Sequence, residues 1–323
     1  MHAKGAPFHV KHSDDAVTSF GDDTPLAREL ADLRSRRRAL DDANVTLPTR
    51  TRILTVSNQK GGVGKTTTTV NIAAALASVG ARVLVIDLDP QGNASTALGV
   101  PHTADIPSVY DVLIDEFPLA DIVQISPESS LLTCAPSTIH LAGAEIELVS
   151  QVAREHRLRR ALDEYLATTP DPPHVVLIDC PPSLGLLTIN AFTAANEVLI
   201  PIQCEYYALE GLSQLLGSVQ MIQKHLNPPL HVSTILLTMY DGRTRLAQQV
   251  AEEVREHFPR EVMATVIPRS VRVSEAPSFG QTVIAYDGQS AGAVAYREAA
   301  VELLGRGDDE TAAHDGPTNE RES

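Results

Sequence analysis

Seven short runs of aliphatic and β-branched residues alternate with helix-like stretches along most of this chain. The runs are RILTVS, RVLVID, LLTCAP, HVVLIDC, EVLIPIQ, HVSTILLT and VMATVIP. Most contain two or three consecutive Val, Ile or Leu residues, which is typical of strands covered by helices on both faces. We therefore predict an α/β fold with a doubly wound, mostly parallel sheet, whose ligands bind at the carboxyl ends of the strands.

The alternating pattern defines one predicted domain, residues 51–305. Residues 1–50 are polar and are predicted to be a disordered extension, with one possible helix in PLARELADLRSRRRAL. The basic stretch of that helix is more typical of a solvated face than of a DNA or partner contact. Residues 306–323 carry six acidic side chains against two arginines and are predicted to be a disordered acidic tail.

Composition narrows the class of protein. The three cysteines, Cys134, Cys180 and Cys204, form no CxxC or Cys/His cluster, so neither a disulfide framework nor a zinc site is predicted. Apolar runs are far shorter than the roughly 20 residues that a membrane span needs, and no signal peptide is evident. We expect a cytoplasmic protein. The net charge of −15 argues against a uniformly basic nucleic-acid coat but allows one local basic face.

The segment KGGVGKTT follows the first predicted strand and precedes an alanine-rich helical stretch. A glycine-rich loop in this context lets backbone N–H groups bind nucleotide phosphates. We expect Lys65 to neutralise the β- and γ-phosphates, the Thr66 hydroxyl to ligate Mg²⁺ and Thr67 to meet the α-phosphate. The other loop residues expected at the phosphates are Gly61, Gly62, Val63 and Gly64. The chemistry of the loop alone gives no role to Lys60 at its start.

Three aspartates follow predicted strands and are expected at one edge of the sheet. Asp179 comes after four apolar residues and is predicted to hold Mg²⁺ through its water shell. Asp89 is our candidate for orienting the attacking water in phosphoryl transfer. Asp87 is expected to support the phosphate loop or the water shell of the metal, and an equally good alternative is that it caps the next helix.

These residues resemble a known family. KGGVGKTT, with a lysine at the start of the loop, is similar to the deviant Walker A motif of the ParA/MinD class of P-loop ATPases. DLDPQGN, DCPPSLG, PIQCEYYALEG, LTMYDGRT and VIPRSVRVSEAPSFG resemble chromosomal ParA (Soj) proteins more specifically. The resemblance extends from about Arg52 to Leu304 and leaves out both termini.

The resemblance implies a slow, partner-stimulated ATPase that forms an ATP-dependent sandwich homodimer. In such a dimer Lys60 would reach the nucleotide of the other subunit, although an isolated lysine is usually just a solvated surface residue. The resemblance also implies that Asp89 positions the hydrolytic water and that Asp179 belongs to the Walker B strand. ATP and Mg²⁺ are the implied cofactors.

The family also implies non-specific binding to double-stranded DNA, a ParB-type centromere-binding partner and association with the nucleoid. The arginines in the matching blocks are Arg243, Arg245, Arg269 and Arg272. Contacts to phosphates would be insensitive to sequence and weakened by salt. Any one of these arginines could instead be a solvated charge or pair with Glu252 or Glu275. Met239 and Pro268 are candidate adenine contacts, and both are equally credible as packing residues.

Two other functions fit the sequence less well. A MinD-like division-site regulator would bind membrane through a basic amphipathic C-terminal helix, whereas this chain ends in an acidic segment. A redox ATPase like the nitrogenase iron protein would need cysteines placed to share an iron–sulfur cluster, and we interpret the three cysteines as small core residues.

The N-terminal extension suggests a separate hypothesis. Phe8-His9-Val10-Lys11 can be encoded by TTTCACGTGAAA, which is its own reverse complement and resembles a parS site. In that case the peptide would record a DNA element and would have no role of its own.

Overall fold

The computed structural model describes residues 24–314. Residues 1–23 of the polar extension, with the parS-like hypothesis for Phe8 to Lys11, and residues 315–323 lie outside the described residues. Within the described residues the chain divides into two compact units, one ending at Asp42 and the other beginning at Ala43. None of the helices within residues 24–314 has the length and apolar character needed to cross a membrane.

The described part of the first unit contains one helix, α1 (Pro25–Asp41). Thr24 caps it, since its side chain accepts a hydrogen bond from the backbone N–H of Ala27 at 3.2 Å. Pro25 occupies the first turn, where its missing N–H has no cost. This helix lies where the sequence indicated a possible one.

The second unit is built on one sheet of eight strands, counted over residues 24–314. In spatial order the sheet runs β3-β4-β2-β5-β1-β6-β7-β8, and every neighbouring pair is parallel except β3 and β4. The strands are β1 (Arg52–Val56), β2 (Val83–Asp87), β3 (Gln124–Ile125), β4 (Leu132–Ala135), β5 (Val175–Asp179), β6 (Glu197–Gln203), β7 (His231–Tyr240) and β8 (Val262–Pro268). The doubly wound, mostly parallel fold predicted from the sequence is confirmed.

The helices of this unit cover both faces of the sheet. They are α2 (Lys65–Ser78), α3 (Asn93–Ala97), α4 (Val109–Ile114), α5 (Leu141–Leu148), α6 (Arg157–Thr168), α7 (Leu186–Ala194), α8 (Ala208–His225), α9 (Arg245–His257), α10 (Val271–Glu275), α11 (Val283–Tyr286) and α12 (Ala291–His314). Two short 3₁₀ segments span Leu119–Asp121 and Ala276–Phe279. Helix α12 continues past residue 306, so the first part of the segment predicted to be a disordered tail is helical here.

Successive strand residues face opposite sides of the sheet and build two apolar cores. On β5, Val176 and Ile178 belong to one core, whereas Val175 and Leu177 belong to the other. This alternation explains the continuous apolar runs in the sequence, because a strand with helices on both faces must be apolar on both. The carboxyl ends of the parallel strands meet at one edge, which is where the polar residues of the site lie.

Candidate functional site

The glycine-rich loop connects β1 to α2 at the carboxyl edge of the sheet. Gly62 and Gly64 have φ values of +77° and +89°, a region that costs other residues about 1–2 kcal/mol. No atom lies within 4 Å of the position that a Cβ would take on Gly61 or Gly62. Together with the first turn of the 14-residue helix α2, this leaves space and free backbone N–H groups for a phosphate chain. Thr67 lies in that first turn.

Lys65, the first residue of α2, is almost buried, with 7% of its surface exposed. Its Nζ donates to the backbone carbonyl of Lys60 at 3.1 Å. Burial lowers the pKa of Lys65, and the negative charges of Asp179 and Asp89 oppose that shift. The Lys65 ammonium therefore lies at the glycine-rich loop, where a phosphate oxygen could replace the Lys60 carbonyl as its acceptor.

Asp179, at the end of β5, is tied to the first turns of α2. Thr66 Oγ1 donates to its Oδ2 at 2.7 Å, and Thr69 Oγ1 donates to its Oδ1 at 3.0 Å. The carboxylate has no exposed surface. Burial raises the pKa of Asp179, and the charge of Asp87 adds to the rise.

Asp87, at the end of β2, is the register partner of Asp179. Its carboxylate accepts hydrogen bonds from Ser95 N at 2.8 Å, Ser95 Oγ at 2.7 Å and Asp89 N at 3.2 Å. Burial raises its pKa, and the two Ser95 hydrogen bonds oppose the rise. Since Ser95 lies in α3, Asp87 holds the start of the next helix, which is the capping alternative that the sequence left open.

Asp89 lies two residues beyond β2 and is partly exposed. Its Oδ1 accepts a hydrogen bond from the N–H of Gln91 at 3.0 Å, which leaves Oδ2 without a hydrogen bond among those of the described residues. Its charge acts on Lys65, so the carboxylate lies within electrostatic range of the phosphate loop. A partly exposed carboxylate at this edge is suitable for holding a water molecule.

The donor set matches Mg²⁺ in a nucleotide complex. Mg²⁺ in phosphate sites takes one or two protein oxygen ligands and completes its octahedron with phosphates and waters. Thr66 and Asp179 supply a hydroxyl and a carboxylate that are already in contact. Their contact makes these two oxygens the candidate ligands. Among residues 24–314 no group of three or more His, Cys, Asp or Glu side chains is placed to hold a metal ion.

The ends of β7 and β8 border the other side of the loop. Thr238 Oγ1 donates to the carbonyl of Val63 at 2.8 Å, and the Met239 methyl group lies 3.8 Å from the position a Cβ would take on Gly64. Met239 has a φ of +50°, which is unusual for a residue other than glycine. Pro268 lies on β8 as the register partner of Tyr240, so the two candidate adenine contacts are on neighbouring strand ends.

Lys60 does not extend freely from the loop. Its Nζ forms an ion pair with Glu205 Oε1, and its backbone N–H donates to Asn58 Oδ1 at 3.0 Å. The Asn58 amide in turn donates to the carbonyl of Pro201 in β6 at 2.8 Å. The side chains of Lys60 and Glu205 are 40% and 33% exposed, so the pair is accessible from the rim of the site.

The four arginines of the predicted DNA face differ in their surroundings. Arg243 forms two hydrogen bonds with Asp241, at 2.8 and 2.9 Å, and they lower the pKa of Asp241 to about 2. Arg272 pairs with Glu275 at 3.3 Å and with Asp287 at 3.4 Å, as the ion-pair alternative from the sequence anticipated for Glu275. Arg245 and Arg269 are exposed, and no ion pair involves either of them within residues 24–314.

Three contributors to this site were not identified from the sequence. Thr69 lies three residues after Thr66, on the same face of α2, and this spacing could have indicated that both hydroxyls meet Asp179. Asp241 is two residues from Arg243 and could have been found as a local pair. Glu205 is 145 residues from Lys60, and no local pattern predicts that contact.

Comparison with known proteins gives consistent matches. A family model described as an AAA domain matches residues 51–232. Sporulation initiation inhibitor protein Soj of Bacillus subtilis is 53% identical over 256 residues, covering 79% of this chain and 99% of that protein. Chromosome partitioning protein ParA of Caulobacter vibrioides is 50% identical over 261 residues, covering 81% of this chain and 97% of that protein.

Solved structures give the same fold. A structure described as cobyrinic acid a,c-diamide synthase from Mycobacterium smegmatis, with bound ADP and magnesium, is 39% identical, with a TM-score of 0.69 and coverage of 81% of this chain and 97% of that one. The septum site-determining protein MinD from Pyrococcus horikoshii, complexed with Mg-ADP, is 24% identical, with a TM-score of 0.62 and coverage of 83% and 100%. At that identity MinD supports the fold alone.

Proposed function

Because this chain belongs to the ParA/Soj family of chromosome-partitioning ATPases, we propose that it is an ATP-dependent dimerising switch. In this proposal the ATP-bound dimer binds DNA non-specifically and hydrolyses ATP slowly. A ParB-type centromere-binding partner stimulates hydrolysis and returns the protein to the monomer. The cycle drives segregation of chromosome origins or plasmids in the cytoplasm, on the nucleoid.

Within one subunit the loop binds ATP with Mg²⁺. Backbone N–H groups of Gly61 to Thr67 surround the phosphates, and Lys65 transfers its ammonium from the Lys60 carbonyl to the β- and γ-phosphates. Thr66 and Asp179 would hold Mg²⁺ and its water shell, and the ion would supply charge neutralisation at the phosphates. Asp89 orients the attacking water, while Asp87 keeps α3 in place beside it. Met239 and Pro268 border the base.

Between subunits, Lys60 reaches the nucleotide of the partner. The lysine lies at the rim of the loop, and its side chain is 40% exposed. A cation that binds the phosphates of the other subunit makes ATP part of the interface, so dimerisation depends on the γ-phosphate. ADP would leave this contact weaker and favour the monomer.

DNA binding uses the arginines at the ends of β7 and β8. Arg245 is the first residue of α9, and Arg243 lies two residues before it. Arg272 lies in α10, and Arg269 lies two residues before that helix. In a chain of net charge −15 they form the proposed basic face, on which Asp241, Glu275 and Asp287 offset part of the positive charge. Dimerisation doubles the number of its arginines. Phosphate contacts of this kind do not distinguish sequences, which suits a protein that binds the nucleoid.

The observation that carries the proposal is the contact of Thr66 with Asp179 beside the almost buried Lys65. This is the arrangement expected of a P-loop with its metal ligands, and the chain that contains it is about half identical to Soj and ParA. The test is binding to double-stranded DNA with ATP, ADP and no nucleotide across a salt series. We expect affinity that appears only with ATP and decreases steeply with salt. Equal binding in all three nucleotide states would contradict the switch.

The same samples also test the membrane alternative. Anionic liposomes replace DNA in a co-sedimentation assay with ATP. We expect the protein to remain in the supernatant. ATP-dependent pelleting with liposomes, combined with no ATP-dependent binding to DNA, would favour a MinD-like regulator instead.

A further inference from the structure

Three contacts hold Lys60 within its own subunit. Its ammonium pairs with Glu205, its backbone N–H donates to Asn58 Oδ1 at 3.0 Å, and its carbonyl accepts from Lys65 Nζ at 3.1 Å. The first two contacts connect the start of the loop to β6, because Glu205 follows β6 and Asn58 donates to Pro201 within it. The loop is therefore fastened to its own subunit at the point from which Lys60 would have to extend.

Glu205 is well placed to keep that ammonium. It lies in the connection between β6 and α8, where Ala208 N donates to its backbone carbonyl at 3.0 Å and its own N–H donates to the carbonyl of Gln203 at 2.9 Å. These bonds fix its backbone, so the backbone does not need to be ordered at the moment of pairing. An ammonium bound to this carboxylate is not available to a phosphate on another subunit.

The third contact links the pair to nucleotide binding. Lys65 Nζ donates to the Lys60 carbonyl, and the same Nζ is the group expected to bind the β- and γ-phosphates. When phosphates take the ammonium of Lys65, the Lys60 carbonyl loses this partner. Nucleotide binding in one subunit thus removes one of the three restraints on Lys60, and the Glu205 ion pair remains as the main one.

We propose that Glu205 is a positioning residue that holds Lys60 inside its own subunit until a second ATP-bound subunit competes for it. This inference rests on the proposed dimerisation of ATP-bound subunits through Lys60. The carboxylate opposes premature association, so the dimer forms only where two γ-phosphates replace two Glu205 carboxylates. Glu205 sets the threshold for dimerisation and leaves ATP binding by the monomer unchanged.

The test is the Glu205→Gln variant, compared with Glu210→Gln as a matched control. Glu210 lies in the first turn of α8, five residues from Glu205, and is exposed. Within residues 24–314 the ion pair of Lys60 is with Glu205 and not with Glu210, so the control variant removes the same charge without freeing Lys60.

In sedimentation equilibrium with ATP and Mg²⁺, we expect Glu205→Gln to dimerise about four- to 25-fold more tightly than wild type. Each dimer replaces two partly exposed ion pairs, and each pair is worth about two- to fivefold. Glu210→Gln should match wild type. Unchanged or weaker dimerisation of Glu205→Gln would overturn the proposal.

A second measurement does not depend on dimerisation. In the nucleotide-free protein, the rate at which an amine-reactive acetylating reagent modifies Lys60 is followed by peptide mass spectrometry. We expect Lys60 to react about two- to fivefold faster in Glu205→Gln than in wild type or Glu210→Gln, because its ammonium is released. Equal rates would overturn the pairing itself. If wild type does not dimerise with ATP but Lys60 still reacts faster in Glu205→Gln, the proposed dimer fails while the intrasubunit contact stands.

Discussion

Thr66 Oγ1 donates a hydrogen bond to Asp179 Oδ2 at 2.7 Å, joining the first turn of α2 to the end of β5. The two residues are 113 positions apart in the chain, and the parallel pairing of β1 with β5 brings them together. Each can offer an oxygen to the same metal ion. The contact therefore places the two candidate Mg²⁺ ligands side by side.

Replacing Asp179 with Asn should weaken binding of ATP in the presence of Mg²⁺ by about 10- to 100-fold, the range found when a residue that supports a metal site is removed. Thr66→Ala should show the same direction of change, and Thr66→Ser should remain near wild type because it keeps the hydroxyl. Titration with a fluorescent ATP analogue, with Mg²⁺ and with EDTA, measures this effect. An equal decrease of affinity in EDTA would show that the variants disturb the loop rather than the metal.

Replacing Asp89 with Ala should reduce ATP turnover by at least about 100-fold, since the variant lacks the carboxylate that orients the attacking water. ATP binding and ATP-dependent dimerisation should be retained, because Asp89 lies in the loop before α3 and outside the glycine-rich loop. Phosphate release and sedimentation on the same sample check both parts. Failure of this variant to bind ATP would assign Asp89 to the binding site instead.

Arg245→Ala and Arg269→Ala should weaken DNA binding and reduce the salt slope by about one unit for each phosphate that the protein no longer neutralises. Arg243→Ala should weaken DNA binding less, because Asp241 holds that guanidinium with two hydrogen bonds and must be displaced by a phosphate. Fluorescence anisotropy with ATP over a salt series separates the variants.

Asp241→Asn tests the same face in the opposite direction. It removes the carboxylate that competes for Arg243 and should raise DNA affinity at low salt, while leaving ATP affinity unchanged. If Arg243, Arg245 and Arg269 variants all bind DNA as wild type does, the basic face lies elsewhere.

The fold was predictable because each buried strand of four or more residues appears in the sequence as an apolar run. Strand β3 could not be predicted, because it is only two residues long (Gln124–Ile125) and pairs antiparallel at the edge of the sheet. At the site, the position of Asp87 at a strand end was predicted, but its hydrogen bonds to Ser95 depend on how α3 packs. The partner of Lys60 could not be predicted for the same reason, because β6 brings Glu205 to the loop only in the folded sheet.

The ion pair of Arg52 with Glu197 gives a prediction about stability. Glu197 is 5% exposed, and its carboxylate accepts hydrogen bonds from Arg52 at 2.8 and 2.7 Å. Arg52 also donates to the carbonyl of Leu303 at 2.6 Å, joining β1 to α12. Glu197→Gln should lower the free energy of unfolding at pH 7 by up to about 3–5 kcal/mol, since it removes the carboxylate charge that faces the largely buried Arg52 guanidinium.

This effect should depend on pH. Burial raises the pKa of Glu197, but the hydrogen bonds and charge of Arg52 outweigh burial, so the pKa is lowered overall. A lowered pKa in the folded state stabilises the protein above the unfolded pKa of about 4.3, and this stabilisation disappears as pH falls through the folded value. Urea unfolding should therefore show a difference between wild type and Glu197→Gln that shrinks below about pH 4. A difference that stays constant with pH would mean that altered packing, not charge, causes it.

The proposed switch depends above all on Lys60 making ATP part of the contact between two subunits. Sedimentation equilibrium of Lys60→Ala with ATP and Mg²⁺, in parallel with nucleotide binding by the same sample, tests this role most directly. We expect a protein that binds ATP as a monomer and does not dimerise, whereas wild type dimerises with ATP and not with ADP. An ATP-dependent dimer of normal affinity in Lys60→Ala would contradict this role.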